Sequence, residues 1–240
     1  MKNLNKIATL ILCGGKGKRL GQKFKNTNKS LIKVKGDTLI SKNINYLFKN
    51  KIKNIFVITG HAHKKVEKEV IRNFNNKVLL NFTGINSSIA KRISKTLKYI
   101  DLYDYVLIMN GDSLYNFKLN KICKTTLIKD IDCSFISTTK VIKYGFLKVQ
   151  KNNKLVSFLK NQKFNNFYNS KKHYFYTGMF LIKKDLLKEY IKNLKDFNKD
   201  FEIEIFNKII KNNKSRLFFD EGEFQDFNNI EDIQNLKISF

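Results

Sequence analysis

The feature that most constrains the fold is the short apolar run Ile7–Cys13, which ends abruptly in Gly14-Gly15-Lys16-Gly17-Lys18-Arg19-Leu20. A run of this length before a glycine turn predicts a parallel strand that is buried on both faces. Glycines let backbone N–H groups approach a ligand closely, and the Lys and Arg side chains beside them offer charge to phosphate oxygens. The sequence therefore predicts a loop that holds a nucleoside triphosphate after the first strand.

The spacing of this loop differs from those of two common phosphate-binding loops. The P-loop needs Gly, four residues and then Gly-Lys-Ser/Thr, and this spacing does not occur in the sequence. The dinucleotide fingerprint is G-x-G-x-x-G, whereas Gly15, Gly17 and Gly21 are one residue too far apart. On composition alone, a solvated basic turn after a strand stays open as an alternative.

The large positive charge does not by itself indicate a nucleic-acid partner. The formal net charge is +27, but only four of the 47 cations are arginines, at positions 19, 72, 92 and 216. Base-reading and phosphate-fork sites favour Arg, because its planar guanidinium binds bidentately. The lysines are scattered through every segment, which indicates a solvated surface, and no specific nucleic-acid partner is expected.

Length and cysteine usage favour one α/β unit in a reducing compartment. A chain of 240 residues can bury a sizeable core. The three cysteines, Cys13, Cys123 and Cys133, have no C-x-x-C or metal-ligand spacing and are predicted to be buried thiols. No run reaches the roughly 18 apolar residues of a membrane helix. We expect a cytoplasmic protein without a membrane partner.

Strand and helix patterns alternate in the first half of the chain. Strands are predicted at 7–13, 55–59, 78–82 and 105–109, and helices at 38–49, 63–74 and 88–100, with Asp37 and Ser87 as N-caps. This alternation predicts a parallel sheet with right-handed crossovers, whose ligands bind outside the carboxyl ends of the strands. The turn Asn110-Gly111-Asp112 should therefore open on the same edge as the glycine-rich loop.

The second half of the chain has a different pattern. Strands are predicted at 133–138, 146–150, 155–159, 174–182 and 217–219, and helices at 184–194, 201–211 and 230–236. We interpret the chain as a single domain over residues 1–240. Residues 1–130 form its nucleotide-binding half, and residues 131–240 form an acceptor-binding half with a small mixed-strand subdomain.

Four segments resemble motifs of the sugar-phosphate nucleotidyltransferases, in the same order over essentially the whole chain. The glycine-rich loop resembles the G-G-x-G-x-R-L signature, and residues 29–36 resemble the second, Lys-Pro block. Asn110-Gly111-Asp112 resembles the metal-binding turn, and residues 226–232 resemble the late Asp-x-Gly-Thr-Pro-Glu-Asp segment. The resemblance implies an α/β fold with a Rossmann-like, mostly parallel mixed sheet flanked by helices, similar to the glycosyltransferase-A fold.

Residues 83–92 are similar to a segment of the glucose-1-phosphate cytidylyltransferases, because Thr83, Gly84 and Arg92 have the same spacing. Residues 222–225 resemble the Gly-Phe-Trp-Gln segment of those enzymes. These resemblances favour CTP as the nucleotide, with GTP, dTTP or UTP as alternatives.

The chain also departs from the family pattern. Ser30 and Asp37 replace prolines, and the late metal aspartate of the cytidylyltransferases falls on Asn228, whereas that of the wider family falls on Asp226. Tyr176-Thr177-Gly178 stands where many relatives have a sugar-contacting Asn-x-Gly. The acceptor therefore need not be glucose 1-phosphate.

The resemblance implies that an acceptor phosphate oxygen attacks the α-phosphorus of a nucleoside triphosphate and expels pyrophosphate, with Mg²⁺ as cofactor. Arg19 and Lys29 are the implied catalytic contacts, and Asp112 and Asp226 are the implied metal ligands. The implied nucleotide-binding residues are Leu12, Gly14, Gly15, Gly17, Lys18, Thr83, Gly84, Ser88 and Gly111. The implied acceptor-binding residues are Arg92, Lys160, Lys163, Thr177, Gly178 and Glu202. For Arg92, a nucleotide contact and a position on the helix surface are the alternatives.

The expected acceptor is a sugar 1-phosphate for surface glycan or related biosynthesis. A non-sugar phosphate or phosphonate acceptor is the alternative within the same chemistry. A catalytically inactive regulatory relative and a polyanion-binding protein are the alternatives of another class. A homo-oligomer is compatible with the sequence.

Overall fold

The apolar run at the start of the chain forms a strand, β1 (Ile7–Cys13), in the middle of a mixed sheet. The structure, a computed structural model, describes residues 3–15, 27–138, 146–159, 173–227 and 232. Gly17, Lys18 and Arg19 of the glycine-rich loop lie outside the described residues, as do Lys160, Lys163, Asn228 and, apart from Asp232, the predicted helix at 230–236.

Helices and strands alternate through the first half, as the sequence predicts. The described helices are α1 (Leu39–Lys49), α2 (His63–Phe74), α3 (Ile89–Thr96), α4 (Leu119–Ile128), α5 (Lys184–Lys192) and α6 (Phe201–Asn212). The further strands are β2 (Lys33–Val34), β3 (Asp37–Thr38), β4 (Ile55–Thr59), β5 (Leu79–Phe82), β6 (Tyr105–Asn110), β7 (Ser113–Asn116), β8 (Cys133–Thr138), β9 (Phe146–Val149), β10 (Leu155–Leu159), β11 (His173–Lys183), β12 (Ser215–Phe219) and β13 (Glu223–Asp226).

Nine of the described strands form the main sheet, in the order β10-β9-β11-β6-β1-β4-β5, with β8 beside β11 and β12 beside β8. The pairs β1–β4, β1–β6 and β4–β5 are parallel, whereas β11 runs antiparallel to β6, β8 and β9. The predicted mostly parallel mixed sheet is confirmed. The parallel strands β1, β4, β5 and β6 belong to the first half of the chain, whereas the second half adds antiparallel strands and one further parallel pair, β8–β12.

Helices cover both faces of this sheet, and each face has its own core. The side chains of Ile7 and Ile11 join the core beneath α1, α2 and α4, whereas Ala8 and Leu10 join the core beneath α3, α5 and α6. Because β1 is buried on both faces, its sequence is a continuous apolar run rather than an alternating one.

The two predicted N-caps are each wrong by one residue. α1 is capped by Thr38, whose hydroxyl accepts a hydrogen bond from Ser41 N–H, and Asp37 lies in β3 instead. α3 is capped by Ser88, whose hydroxyl accepts from Lys91 N–H, whereas the Ser87 hydroxyl donates to the Thr83 carbonyl. In each pair the cap is the residue whose side-chain oxygen reaches a free N–H of the first helical turn.

A second, small sheet joins distant parts of the chain. β13 runs antiparallel to β7, and this pairing sets Asp226 opposite Ser113, directly after Asp112. Neither strand is predicted from the sequence, because both are short and their pairing is non-local. The pairing brings the late aspartate to the turn that follows β6.

Within the described residues, no helix has the length and apolar character needed to cross a membrane. The three cysteines are buried free thiols, as predicted.

Candidate active site

The candidate site lies where the parallel strands β1, β4, β5 and β6 end. The Gly111 N–H donates to the Leu12 carbonyl at 3.1 Å, and the His61 N–H donates to the Gly14 carbonyl at 3.4 Å. The turns that follow β4 and β6 are thus hydrogen-bonded to the end of β1. The structure brings Leu12, Gly14 and Gly111 together at the carboxyl edge, where open α/β sheets bind ligands.

Close packing leaves no room for a Cβ at two of the glycines of this edge, whereas the described neighbours of a third leave room for one. A Cβ on Gly111 would overlap the Cys13 sulfur, and one on Gly14 would overlap the Arg92 guanidinium. Among the described residues, apart from its chain neighbours, none has a heavy atom within 4 Å of where a Cβ on Gly15 would lie. Gly14 and Gly111 are therefore required by their neighbours, whereas Gly15 faces space in which a ligand could approach the backbone.

Lys29 and Asp112 meet across this edge. The Lys29 ammonium lies 3.4 Å from the Asp112 carboxylate, and their side chains are 13% and 37% exposed. Lys29 begins a short 3₁₀ turn, Lys29–Leu31, and Asp112 follows β6. An early cation and a central carboxylate therefore share one half-buried position beside the end of β1.

The turn at Lys29 is held by Asn28, a buried residue that the sequence analysis does not identify. The Asn28 amide donates to the Cys13 carbonyl at 2.6 Å and to the His61 carbonyl at 2.8 Å. Its oxygen accepts from the N–H and the hydroxyl of Ser30 at 3.0 and 2.8 Å. One side chain thus joins the ends of β1 and β4 to the turn that carries Lys29. The available signal was an N-cap residue directly before the Lys29 block.

The Asp112 turn is supported from both sides by two further residues absent from the sequence-based set. The Asn43 amide of α1 donates to the Ser113 carbonyl at 2.9 Å and to the Gly111 carbonyl at 3.5 Å. The Tyr115 hydroxyl accepts from the Asn110 N–H at 3.2 Å. Burial raises the Tyr115 pKa, and the nearby Asp112 charge raises it further. The phenol therefore stays protonated and fixes the backbone before Asp112.

The strand pairing brings Asp226 beside the turn that carries Asp112, and carboxylates are the ligands that a hard cation prefers. The β7–β13 register sets the Asp226 backbone beside Ser113, and both carboxylates act on the electrostatics of Tyr115. In the described part of the chain, no group of three or more His, Cys, Asp or Glu residues could hold a metal ion. Mg²⁺ is commonly held by one or two carboxylates with phosphate oxygens and water, and this donor set fits that pattern.

The predicted nucleotide-binding residues after β5 form a second part of the same edge. The Thr83 N–H and hydroxyl both donate to the Thr59 carbonyl, at 3.1 and 3.0 Å. Gly84 has a φ of +103°, which disfavours any side chain there. Ser88 caps α3. The residues from Thr83 to Ser88 therefore form a turn anchored to the end of β4.

Arg92 lies beneath these loops and not on the surface of α3. Its side chain is buried, with all five N–H donors directed at backbone carbonyls and the Thr83 hydroxyl. No donor is left to contact an acceptor, so the predicted acceptor contact of Arg92 does not fit this geometry.

Among the described acceptor-binding candidates, Gly178 lies against Asn110, which leads into the Asp112 turn. Gly178 has a φ of +75°, and a Cβ there would lie 2.5 Å from the Asn110 amide nitrogen. The neighbouring Thr177 hydroxyl donates to the Ile136 carbonyl at 2.9 Å and is buried. Glu202 lies in the first turn of α6. The structure thus brings Gly178 to the site, whereas the Thr177 side chain is directed into the sheet.

The sheet order and the loops at its carboxyl edge define an α/β protein of the nucleotidyltransferase class. A sequence profile described as nucleotidyl transferase matches residues 8–237. The chain belongs to that family.

A related curated protein is the glucose-1-phosphate adenylyltransferase of Thermosipho melanesiensis, which is 22% identical over 258 residues. The alignment covers 96% of this chain and 60% of that protein, so the chain spans about three fifths of the relative's length.

Solved structures share the fold at low sequence identity. A crystal structure described as a glucose-1-phosphate thymidylyltransferase of Bacillus anthracis in complex with sucrose is 20% identical, with a TM-score of 0.83 over 98% of this chain and 97% of that one. HddC from Yersinia pseudotuberculosis is 18% identical, with a TM-score of 0.76 over 94% of this chain and 95% of that one. A complex of HddC with GMP-PN has a TM-score of 0.71 at the same identity, over 95% of this chain and 96% of that one.

Proposed function

We propose that this protein is a sugar-phosphate nucleotidyltransferase, which couples a nucleoside triphosphate to a phosphorylated acceptor and releases pyrophosphate. The observation that carries the proposal is the meeting of Lys29 and Asp112 beside the glycine-rich end of β1. A cation, a carboxylate and glycine N–H groups at one strand edge are the groups that phosphoryl chemistry requires.

The reaction is an in-line displacement at the α-phosphorus. An acceptor phosphate oxygen forms a bond to this phosphorus, the bond to the β-phosphate oxygen breaks, and pyrophosphate leaves with the electron pair. Such a reaction depends on alignment and on neutralisation of charge more than on covalent help from the protein.

Lys29 is the residue that we assign to the α-phosphate. Its side chain is only 13% exposed, so water screens its charge less than that of an exposed lysine. The backbone of Gly14 and Gly15 binds the nucleotide, with Gly17 and Lys18 continuing the loop, and Arg19 is assigned to the departing phosphates. Asn28 keeps Lys29 at the end of β1 while the substrates exchange.

Asp112 and Asp226 would hold Mg²⁺. When bound, this ion neutralises charge on the phosphate oxygens and orients the triphosphate. Asn43 and Tyr115 hold the Asp112 turn in place by hydrogen bonds to its backbone. The acceptor lies on the β11 side, near Gly178, with Thr177, Glu202, Lys160 and Lys163 as the further assigned residues.

The identity of the nucleotide base is a separate part of the proposal. Residues 83–92 favour CTP through their resemblance to cytidylyltransferases. The relatives named above include an adenylyltransferase, a thymidylyltransferase and a protein bound to GMP-PN. The division into a nucleotide-binding half, 1–130, and an acceptor-binding half, 131–240, is part of this proposal, as is an acceptor of the sugar 1-phosphate class.

The test is pyrophosphate release, measured with CTP, ATP, GTP, UTP and dTTP against a panel of hexose phosphates, heptose phosphates, and small non-sugar phosphates and phosphonates. We expect release with one triphosphate, CTP in the first instance, and with one acceptor class. Lys29→Ala is the matched loss-of-function control. Release from no pair, together with salt-sensitive binding to any polyanion, would favour the polyanion-binding alternative and contradict the enzyme proposal.

A further inference from the structure

Arg92 is a buried cation that reaches from a helix to the ends of three strands. It lies on α3 with only 5% of its surface exposed. Its Nη2 donates to the Gly14 carbonyl at 3.1 Å, directly after β1, and its Nη1 donates to the Thr59 carbonyl at 3.1 Å, at the end of β4. Nη1 also donates to the Thr83 hydroxyl at 3.2 Å, directly after β5.

The remaining donors of Arg92 bind the turn between β5 and α3. Its Nε donates to the Ser87 carbonyl at 2.9 Å, and Nη2 also approaches the Ile85 carbonyl at 3.5 Å. The five N–H groups of a guanidinium lie in one plane at fixed angles. Occupation of all five therefore fixes the glycine-rich strand end and the turn 83–87 relative to each other.

The backbone around this guanidinium is shaped to admit it. A Cβ on Gly14 or on Gly60 would overlap the guanidinium atoms. Neither glycine has a φ in the left-handed region, so close approach of Arg92, and not backbone strain, requires the missing side chain at both positions. Gly14 and Gly60 follow two adjacent parallel strands, β1 and β4.

The charge of Arg92 has no carboxylate partner among the described residues. Carbonyl dipoles and a hydroxyl hold it instead, and burial lowers the pKa of its guanidinium. Burying a cation without a counter-ion is costly. A buried cation beneath a glycine-rich loop provides a fixed positive potential. This potential favours an anion bound above Gly14 and Gly15.

We propose that Arg92 is a positioning residue for the nucleoside triphosphate: its guanidinium holds the Gly14 strand end and the turn 83–87 as one nucleotide-binding surface. The inference rests on the proposed function. It differs from that function in assigning Arg92 to the nucleotide, through the backbone, and not to the acceptor.

The first experiment compares Arg92→Lys with the wild type, both in direct binding of the preferred triphosphate by calorimetry and in steady-state kinetics. Lysine keeps the charge but cannot bind all of these oxygens at once. We expect the triphosphate Kd and KM to rise about tenfold, the cost of roughly one good hydrogen-bonded contact, and the acceptor KM to change less than twofold. Arg72→Lys, an exposed arginine on α2, is the matched control.

The second experiment uses Gly60→Ala, because this substitution replaces neither Arg92 nor any residue assigned to contact a ligand. The added methyl should displace the guanidinium and raise the triphosphate Kd in the wild-type background. In an Arg92→Ala background the same substitution should change the Kd less than twofold, since there is no guanidinium to displace.

The outcomes separate the two proposals. If the wild type binds no triphosphate, the proposed function fails. If the wild type binds and Arg92→Lys binds equally well, or if only the acceptor KM rises, the positioning role of Arg92 is wrong. An equal effect of Gly60→Ala in both backgrounds also overturns it. A native circular dichroism spectrum for each variant keeps these readings distinct from unfolding.

Discussion

The Lys29 ammonium lies 3.4 Å from the Asp112 carboxylate, although most of the first half of the chain separates the two residues. Each is placed by its own buried support, Lys29 by Asn28 and Asp112 by Asn43 and Tyr115. The pair is half-buried, so its charges interact more strongly than those of an exposed pair. The predictions below follow from this arrangement.

Asp112→Asn should lower turnover at least about a hundredfold, because it removes the proposed metal ligand and the partner of Lys29. The fold should survive, since Asn fills the same space. Pyrophosphate release and circular dichroism measure the two effects. Asp104→Asn, which breaks an exposed pair with Lys6, is the control and should be fully active. Near-normal turnover in Asp112→Asn would remove the metal assignment.

Lys29→Ala should lower kcat/KM roughly a hundredfold, because it removes stabilisation of the charge at the α-phosphate. This corresponds to an increase of about 3 kcal/mol in the activation free energy. Lys29→Arg should restore little of this, because a planar fork does not reproduce a compact ammonium. Steady-state kinetics with the preferred substrates give both values. Lys33→Ala, at an exposed position of β2, should have no effect. Full activity in Lys29→Arg would show that only the charge matters.

Asn28→Asp should distinguish the hydrogen bonds that the Asn28 side chain accepts from those that it donates. The carboxylate can still accept from Ser30, but it cannot donate to the Cys13 and His61 carbonyls. We expect a loss of about 1–3 kcal/mol in the free energy of unfolding and a fall in kcat larger than any change in KM. Urea denaturation and kinetics test this. Asn45→Asp, on the exposed side of α1, is the control, and equal behaviour of the two variants would contradict the role of Asn28.

The late metal ligand can be identified by titration with Mg²⁺. Asp226→Asn should raise the Mg²⁺ concentration for half-maximal activity about tenfold or more, because one of two carboxylates is lost. Asn228→Ala should leave this concentration unchanged. Pyrophosphate release at a fixed triphosphate concentration measures both. The reverse result would move the second metal position to residue 228.

Stability should fall as the pH rises above about 9. Burial raises the pKa of the Cys13 and Cys123 thiols from 9.0 to about 12. The unfolded chain loses these protons first, so it binds fewer protons than the native chain between pH 9 and 12, and the free energy of unfolding decreases with pH in that range. Each thiol contributes up to about 1.4 kcal/mol per pH unit.

Urea denaturation at pH 8, 9 and 10 under reducing conditions measures this slope. Cys123→Ala should make the slope shallower, by about half a proton near pH 9 and by nearly one proton near pH 10, even though it lowers stability by leaving a small cavity. A slope that does not change in Cys123→Ala would mean that this thiol ionises at the same pH in both states.

Local patterns predicted much of the fold. The strands β1 and β4 and the helix α2 have the predicted bounds, because an apolar run buried on both faces and a helical periodicity are each visible within one short window. The N-caps were missed by one residue, since neighbouring polar residues compete for the same N–H groups. β7 and β13 were missed because each is short and pairs only with the other, which lies far away in the chain.

The residues of the candidate site also fall into two groups, those that belong to local motifs and those that act through distant contacts. Lys29, Asp112 and the glycines were identifiable because each belongs to a local motif. Asn28, Asn43 and Tyr115 were not, because their importance lies in contacts with residues far away in the chain. Arg92 was singled out by its spacing, yet spacing could not show whether its side chain is directed at a ligand or at the backbone.

The amino-acid sequence alone therefore determined the alternating strands and helices, the glycine-rich strand end and the residue types that suit phosphate chemistry, since these depend on local periodicity and side-chain chemistry. Only the tertiary structure decided which of these residues meet. Hydrogen bonds between distant loops and the pairing of β7 with β13 depend on how the whole sheet closes. No local segment contains that information.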